Sequence, residues 1–326
     1  MKRIVIDTKG ADKGGSVMIK GAKLVLEKFE DVGVLLVGDE EYILEECKNQ
    51  ALQMERVEIL NAPEEITNYD NAADAIFHKT ESSMIKGLIS LSERDDLIGM
   101  ITAGNTGVLI AACVRFLSRK ERVRPAVAAV LPNQDGSFTC LVDTGATIDC
   151  PAQTLLHFAK LGTEFMRDTY KIESPRVGLL SNGTEETKGN KAVKEAHPLL
   201  KEAEGINFVG NVEGNTALTG VCDVLVCDGF AGNQVLKVTE GTATRMITDI
   251  VKYAKRTGSK EIMELVGHLM GVYDIGSLGG GIVLGCAKPV IKTRGNAGEA
   301  AVVNTAEMMI NMCENRQVFD TARNKI

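Results

Sequence analysis

Short β-branched, apolar runs alternate with helical stretches along this chain, and that alternation constrains the fold more than any other feature. Lys2–Asp7 (KRIVID), Val32–Asp39, Leu97–Ile101, Ala126–Leu131, Phe138–Asp143, Arg176–Ser181 and Cys222–Asp228 read as strands. Val32–Asp39 is apolar almost throughout, as expected of a strand covered on both faces. Helical stretches fall between most of these runs. Gly14 and Gly15 lead into one in which Met18, Ala22, Val25 and Phe29 share a face, with Ser16 as the expected N-cap. A charged helix is predicted over Glu40–Gln53. The pattern specifies an α/β fold with a largely parallel sheet. Asp135-Gly136 signals a local hairpin between two of the strands. No repeat, low-complexity tract or long linker marks a boundary, so a single domain and two interwound subdomains both stay open. Gly241–Val272 reads as two helical stretches broken at Gly258 and is expected to project from the body.

Composition excludes several classes of function. Aromatic residues are 4% of the 326 and there is no Trp, which argues against base-stacking nucleic-acid modules. A formal net charge of −7 argues against a general attraction to nucleic acid, and no nucleic-acid partner is expected. The apolar run at the start is too short for a signal peptide, and no 18-residue apolar stretch occurs, so a cytoplasmic protein is expected, at most peripheral at a membrane. The eight cysteines are scattered with no CxxC pair and read as small core residues in a reducing compartment. None of the four histidines falls in a Gly-rich turn, and HExxH and GxSxG are missing, so neither a metal site nor a serine hydrolase is predicted.

The turns after four strands carry the chemistry. They read TAGNTG (Thr102–Gly107), TGATIDC (Thr144–Cys150), NGTEETKGN (Asn182–Asn190) and GFAGNQ (Gly229–Gln234). At the carboxyl edge of a parallel sheet, helix N-termini present free N–H groups and a partial positive charge, and glycines let an anion approach the backbone. A phosphate-handling cleft follows from that composition. GxxxxGK[ST] and GxGxxG are both missing, so neither a P-loop nor a dinucleotide fingerprint is present. Expected substrate-binding positions are Gly104, Asn105, Thr106, Gly107, Asp143, Gly145, Asn182, Glu185, Gly189 and Gly229. Lys188, at the expected start of a helix, is a candidate point charge for a phosphate, with Glu185 and Glu186 beside it to orient it or hold it away. Asn233 is a candidate oxyanion donor, alongside backbone N–H groups of the Gly229–Asn233 turn. Asp143 and Asp228 each end a strand, where a carboxylate caps a loop, accepts a proton or orients a donor. Lys188, Asn233 and Asp228 are the expected catalytic residues. Ser82-Ser83 reads as a helix cap.

These segments, together with LVGDEE (Leu36–Glu41), ESSM (Glu81–Met84), VDTGATIDC (Val142–Cys150), PRVGLLSNGTEETKGN (Pro175–Asn190), NFVGNVEG (Asn207–Gly214) and DVLVCDGFAGNQVLK (Asp223–Lys237), resemble the PlsX-type phosphate acyltransferases over nearly the whole chain. The resemblance implies a three-layer α/β/α fold related to isocitrate dehydrogenase and phosphotransacetylase. It implies transfer of an acyl group from acyl carrier protein to inorganic phosphate, without metal or organic cofactor. It also implies a homodimer whose product feeds a membrane glycerol-phosphate acyltransferase in phospholipid synthesis.

The chain departs from the family pattern in several turns. DTKGAD (Asp7–Asp12) stands for DAMGGD, with Lys9 and Ala11 changed, and Phe77 stands where the family has an Arg. Thr147 replaces an Asn, NGTEE replaces NIGEE, and Arg294 replaces a His in RGNA. Two alternatives follow from these changes: a divergent paralogue using coenzyme A thioesters, and a non-catalytic binder of acyl phosphate or carrier. Docking an acidic carrier calls for a basic patch, and two are candidates. One is Arg115, Arg119, Lys120, Arg122 and Arg124. The other is Lys252, Lys255, Arg256 and Lys260, near Met246, Ile247, Ile250 and Val251, which also suits a membrane surface.

Overall fold

The computed structural model describes residues 1–118, 124–273 and 280–323, with 271–273 and 315–323 described by their backbone. The elements in chain order begin with β1 (Lys2–Asp7), α1 (Gly15–Lys28), β2 (Val32–Gly38), α2 (Glu40–Asn49) and β3 (Val57–Asn61). Next come α3 (Ala72–His78), α4 (Ser83–Glu93), β4 (Leu97–Thr102), α5 (Thr106–Phe116), β5 (Ala126–Pro132) and β6 (Phe138–Val142). They continue with α6 (Ala152–Tyr170), β7 (Arg176–Ser181), α7 (Lys191–Glu202), β8 (Asn207–Glu213), β9 (Val224–Val226) and α8 (Gly229–Thr257). The last are α9 (Lys260–Tyr273), β10 (Gly281–Leu284), β11 (Val290–Lys292) and α10 (Glu299–Arg323). The chain folds into two compact units, Met1–Val127 with Gly276–Ile326, and Ala128–Ile275.

In the first unit the strands run β3-β2-β1-β4-β11-β10, parallel except for the β10–β11 pair. Alternation along each strand sends side chains to two helical layers. Val5, Leu35, Val37 and Met100 share a core with Leu88 and Leu91 of α4 and Val108, Leu109 and Ala112 of α5. On the other face Gly99 lies so close to Met309 of α10, and Gly21 of α1 to Val302, that neither position has room for a Cβ. In the second unit the order is β5-β6-β9-β7-β8, parallel except for β5–β6. Leu141 and Leu225 pack with Val235 and Leu236 of α8, while Val142 and Val224 face Gly162 of α6. Each unit is thus a mainly parallel sheet between helices, the α/β class that the sequence predicts.

Several local expectations need correction. The N-cap of α1 is Gly14 with no side-chain cap, and Ser16 lies inside the helix, where its hydroxyl accepts from Gln50 Nε2 at 3.2 Å. Met18, Ala22 and Val25 are buried as predicted, but Phe29 is already the C-cap in an extended conformation. The charged helix ends at Asn49 rather than Gln53. Ser82 occupies the N-cap of α4, yet its hydroxyl donates to the Lys79 carbonyl at 2.6 Å instead of accepting an N–H. α8 begins at Gly229, taking the expected GFAGNQ turn into its first turns, and stops as expected at Gly258, with φ of 67°. β3, β8, β10 and β11 went unpredicted. The Asp135-Gly136 hairpin is present, with Asp135 accepting from the Ser137 N–H at 2.9 Å.

Candidate active site: turns at the carboxyl ends of the strands

In the first unit the chemistry gathers where β1 and β4 end. Asp7 is the last residue of β1 and is 1% exposed. One carboxylate oxygen accepts the Lys9 N–H at 3.0 Å and the other accepts the Thr102 hydroxyl at 2.8 Å. The Ser83 hydroxyl at the head of α4 supports the same carboxylate. Burial raises the Asp7 pKa from its ordinary value, against the pull of these hydrogen bonds. Thr102 Oγ1 in turn accepts the Gly104 N–H at 3.0 Å. The loop after β1 lies backbone to backbone on this turn, and a Cβ on Gly10, whose φ is +81°, would come within 2.6 Å of the Gly104 Cα.

Asn105 caps α5. Its Oδ1 accepts the Val108 N–H at 3.2 Å and its amide donates to the Thr67 carbonyl at 3.0 Å. The Asn105 side chain is therefore committed to holding the turn, and the groups left over are backbone. Among the described residues the Thr106 and Gly107 N–H groups have no partner, and the first turn of α5 holds no acidic side chain. Toward the other end of α5, Phe77 is exposed and carries the Arg115 guanidinium 4.4 Å from its ring centroid. Arg119, Lys120 and Arg122 of the first basic patch lie outside the described residues.

In the second unit Asp143 follows β6 and is fully buried. Its carboxylate accepts the N–H groups of Gly145, Ala146 and Thr147 at 3.3, 3.1 and 2.7 Å, so it ties its own turn shut. The Thr147 carbonyl accepts the Gly229 N–H at 2.7 Å, which fastens that turn to the head of α8. Gly232 packs so tightly here that a Cβ would run into the Asp143 carbonyl oxygen and come within 2.7 Å of Cys227 Sγ. Asp228 is the N-cap of α8, accepting the Ala231 N–H at 2.7 Å. With Gly229, Ala231 and Gly232 all bonded, Phe230 keeps the one unpaired N–H of that first turn, so the expected bank of oxyanion amides there is reduced to a single donor. The Asn233 side chain is half-buried and makes no hydrogen bond among the described residues.

The Asn182–Asn190 turn faces a groove of about 540 Å³ whose lining includes Ser181, Asn182, Gly189, Asn190, Cys227 and Asp228. Asn182 Oδ1 accepts the Gly189 N–H at 2.8 Å, and the Glu185 carbonyl accepts from Asn211 at 2.7 Å. α7 starts at Lys191 with Asn190 as its cap, so Lys188 stands in the loop and not on the helix. Glu186 pairs with Lys201 at 2.8 Å, leaving the exposed Lys188 ammonium without a hydrogen bond or ion pair among the described residues. Burial and the neighbouring Asp143 and Asp228 charges push the Cys227 thiol well above its ordinary pKa, so it stays protonated and is no nucleophile. Among the described residues no three His, Cys, Asp or Glu side chains gather to hold a metal ion. The sequence places Thr102 in the TAGNTG turn and Asp7 at the head of DTKGAD, but signals no role in the site for either side chain.

Each unit by itself presents unpaired N–H groups at the carboxyl ends of its strands, and the second unit also carries the Lys188 ammonium, unpaired among the described residues; such donors suit an anion. The fatty acid synthesis protein family matches residues 2–319 of the sequence. The chain belongs to this family. A phosphate acyltransferase from Thermoanaerobacter pseudethanolicus is 37% identical over 320 residues, covering 96% of this chain and 94% of its own. With relatives at this level of identity, the family member described here is an acyltransferase. A phosphotransacetylase from Staphylococcus aureus shares the fold with a TM-score of 0.62 at 15% identity, covering 96% of this chain and 94% of its own. A 4-hydroxythreonine-4-phosphate dehydrogenase from Klebsiella pneumoniae does so with a TM-score of 0.57 at 11% identity, covering 96% and 100%. Likeness this remote establishes the fold alone, an isocitrate dehydrogenase-like α/β architecture. No helix among the described residues is long and apolar enough to cross a membrane.

Proposed function

We propose that this acyltransferase moves a fatty acyl group from the thioester of acyl carrier protein to inorganic phosphate, giving acyl phosphate and free carrier thiol. The observation that carries the reading is the head of α5, where the Thr106 and Gly107 N–H groups are unpaired and no acidic side chain opposes an anion. In this reading a phosphate oxygen attacks the thioester carbonyl, the C–S bond breaks, and the thiolate leaves. A thiol with a free pKa near ~8.5 needs little acid assistance. Dianionic phosphate is a sufficient nucleophile, so no covalent enzyme intermediate is required.

In the second unit, the Lys188 ammonium, the Phe230 N–H and the Asn233 amide are the groups suited to neutralising developing negative charge. Asp228 caps the helix there through Oδ1. A homodimer and a membrane glycerol-phosphate acyltransferase as the consumer of product belong to the same reading. Exposed Met246, Tyr253 and Met263, with Lys252, Lys255 and Arg256 on the same pair of helices, support peripheral contact with an anionic membrane.

The test is phosphate-dependent release of carrier thiol from a long-chain acyl-carrier thioester, with acetyl-coenzyme A run in parallel. Turnover with the carrier substrate upholds the proposal. Turnover with acetyl-coenzyme A alone replaces it by a coenzyme A-dependent enzyme, and binding without turnover in a folded sample replaces it by a non-catalytic paralogue.

A further inference from the structure

The unpaired N–H groups at the head of α5 are useful only if the turn that carries them holds one orientation. Three hydrogen bonds supply it. The Thr102 hydroxyl donates to Asp7 Oδ2 at 2.8 Å, the hydroxyl oxygen itself accepts the Gly104 N–H at 3.0 Å, and Asp7 Oδ1 accepts the Lys9 N–H at 3.0 Å. Because the Thr102 proton is committed to the carboxylate, its lone pairs face Gly104. Asp7 and Thr102 are 1% and 0% exposed, so water does not compete for these bonds. Beyond the turn, Asn105 cannot do this work alone, since its side chain is spent on Val108 and Thr67.

We propose that Asp7 and Thr102 are positioning residues for the phosphate-binding turn, a relay that aims the Thr106 and Gly107 N–H groups at the nucleophile. The inference rests on the reading of that turn as the phosphate site. Asp7 touches no substrate and acts through Thr102 and the Gly104 backbone.

Steady-state kinetics on the full-length enzyme, with inorganic phosphate and acyl-carrier thioester varied separately, provide the test. Thr106→Pro probes the reading itself. Proline is tolerated at the first helical position, and Asn105 at φ −58° and ψ 121° has the conformation that a following proline requires, so the change removes the N–H and hydroxyl of Thr106 and leaves the helix in place; Thr106→Val serves as the control for the hydroxyl. Thr102→Val removes the relay hydroxyl at constant shape, Thr102→Ser restores it, and Asp7→Asn removes the charge. Thr106→Pro and Thr102→Val are each expected to raise the KM for phosphate about tenfold with the KM for the acyl donor within about twofold, and Thr102→Ser to return it near wild type. Asp7→Asn moves the phosphate KM the same way; should it fail to fold, Thr102→Val carries the test. A wild-type phosphate KM in Thr102→Val beside a raised one in Thr106→Pro overturns the relay and leaves the phosphate site standing. A wild-type phosphate KM in Thr106→Pro overturns the site and the relay with it. A Thr102→Val variant that loses kcat or weakens both substrates alike shows a merely structural hydroxyl and also overturns the relay.

Discussion

Asp7 and Asp143 each stand at the end of an apolar strand, both buried, yet they are used in opposite ways. Asp143 takes three N–H groups from the four residues that follow it and so closes its own turn. Asp7 takes one N–H from its own loop and two hydroxyls from distant segments, and its carboxyl is pushed above the ordinary aspartate range. Backbone donors solvate a carboxylate well and fix the chain locally. Hydroxyl donors solvate it less well but join segments that are remote in sequence. The comparison assigns Asp143 chiefly to stability and Asp7 chiefly to the orientation of a neighbouring turn.

The largest effect expected is on Asp143. Asp143→Ala leaves one buried and two half-buried N–H groups without that acceptor and should cost about 2–4 kcal/mol in denaturant unfolding. A loss under about 1 kcal/mol would break the comparison, because the turn would then be closed by something else. Next is Lys188→Ala, expected to lower kcat/KM for phosphate about a hundredfold with unchanged unfolding, since the ammonium is exposed and unpaired among the described residues. Full turnover would remove Lys188 from the mechanism. Gly232→Ala should cost about 1–3 kcal/mol, because its Cβ meets the Asp143 carbonyl and the Cys227 sulfur; a neutral result would show that the Asp143 turn shifts freely.

A smaller effect, opposite in sign at Asp7 and at Asp70, concerns pH. The folded Asp7 pKa lies above 3.8, so the native state binds that proton more tightly than the unfolded chain does. Its contribution to stability therefore grows as pH falls through the raised value toward 3.8, where Asp7→Asn should show no such gain in urea titrations. Asp70 has the opposite sign. Hydrogen bonds from Lys79 and Thr67 hold it at about 2, so its stabilisation is present above 3.8 and is lost as pH falls toward 2. Wild type and Asp7→Asn with identical pH profiles would remove the distinction drawn between Asp7 and a carboxylate solvated by backbone. The smallest effect is at Arg115, whose stacking on exposed Phe77 is worth about 0.5–1 kcal/mol in a Phe77→Ala unfolding comparison.

Which parts of the site were legible depended on how local the interactions are. Gly104, Gly145, Gly189 and Gly229 announced their turns because a strand followed by glycine and a polar cap is a sequence-local signal. The caps formed by Asn105 and Asp228 were equally local. Lys188 stands inside the Asn182–Asn190 turn that the sequence marks, short of the helix, because Asn190, two residues on, is the cap and starts α7 there. Ser16 failed as a cap for a related reason: Gly14, with φ 79°, turns the chain before it. The short β10 and β11 are four and three residues long and have too little pattern to be seen, while β3 carries charge at Glu58 and is only half-buried.

The sequence by itself determined the α/β class, the order of most strands and helices, and the turns that carry Gly, Asn and Thr, because hydrophobic period and turn chemistry act over a few residues. Tertiary structure alone decided which donors in those turns remain free. That α8 keeps one unpaired N–H in its first turn while α5 keeps two follows from the Thr147 carbonyl reaching Gly229, at the far end of two helices, three strands and their connections. The pairing of Asp7 with Thr102, 95 positions apart, follows from β1 and β4 being neighbours in the sheet. A hydrogen bond between remote segments leaves no periodicity behind, so its partners become visible only when the strands are side by side.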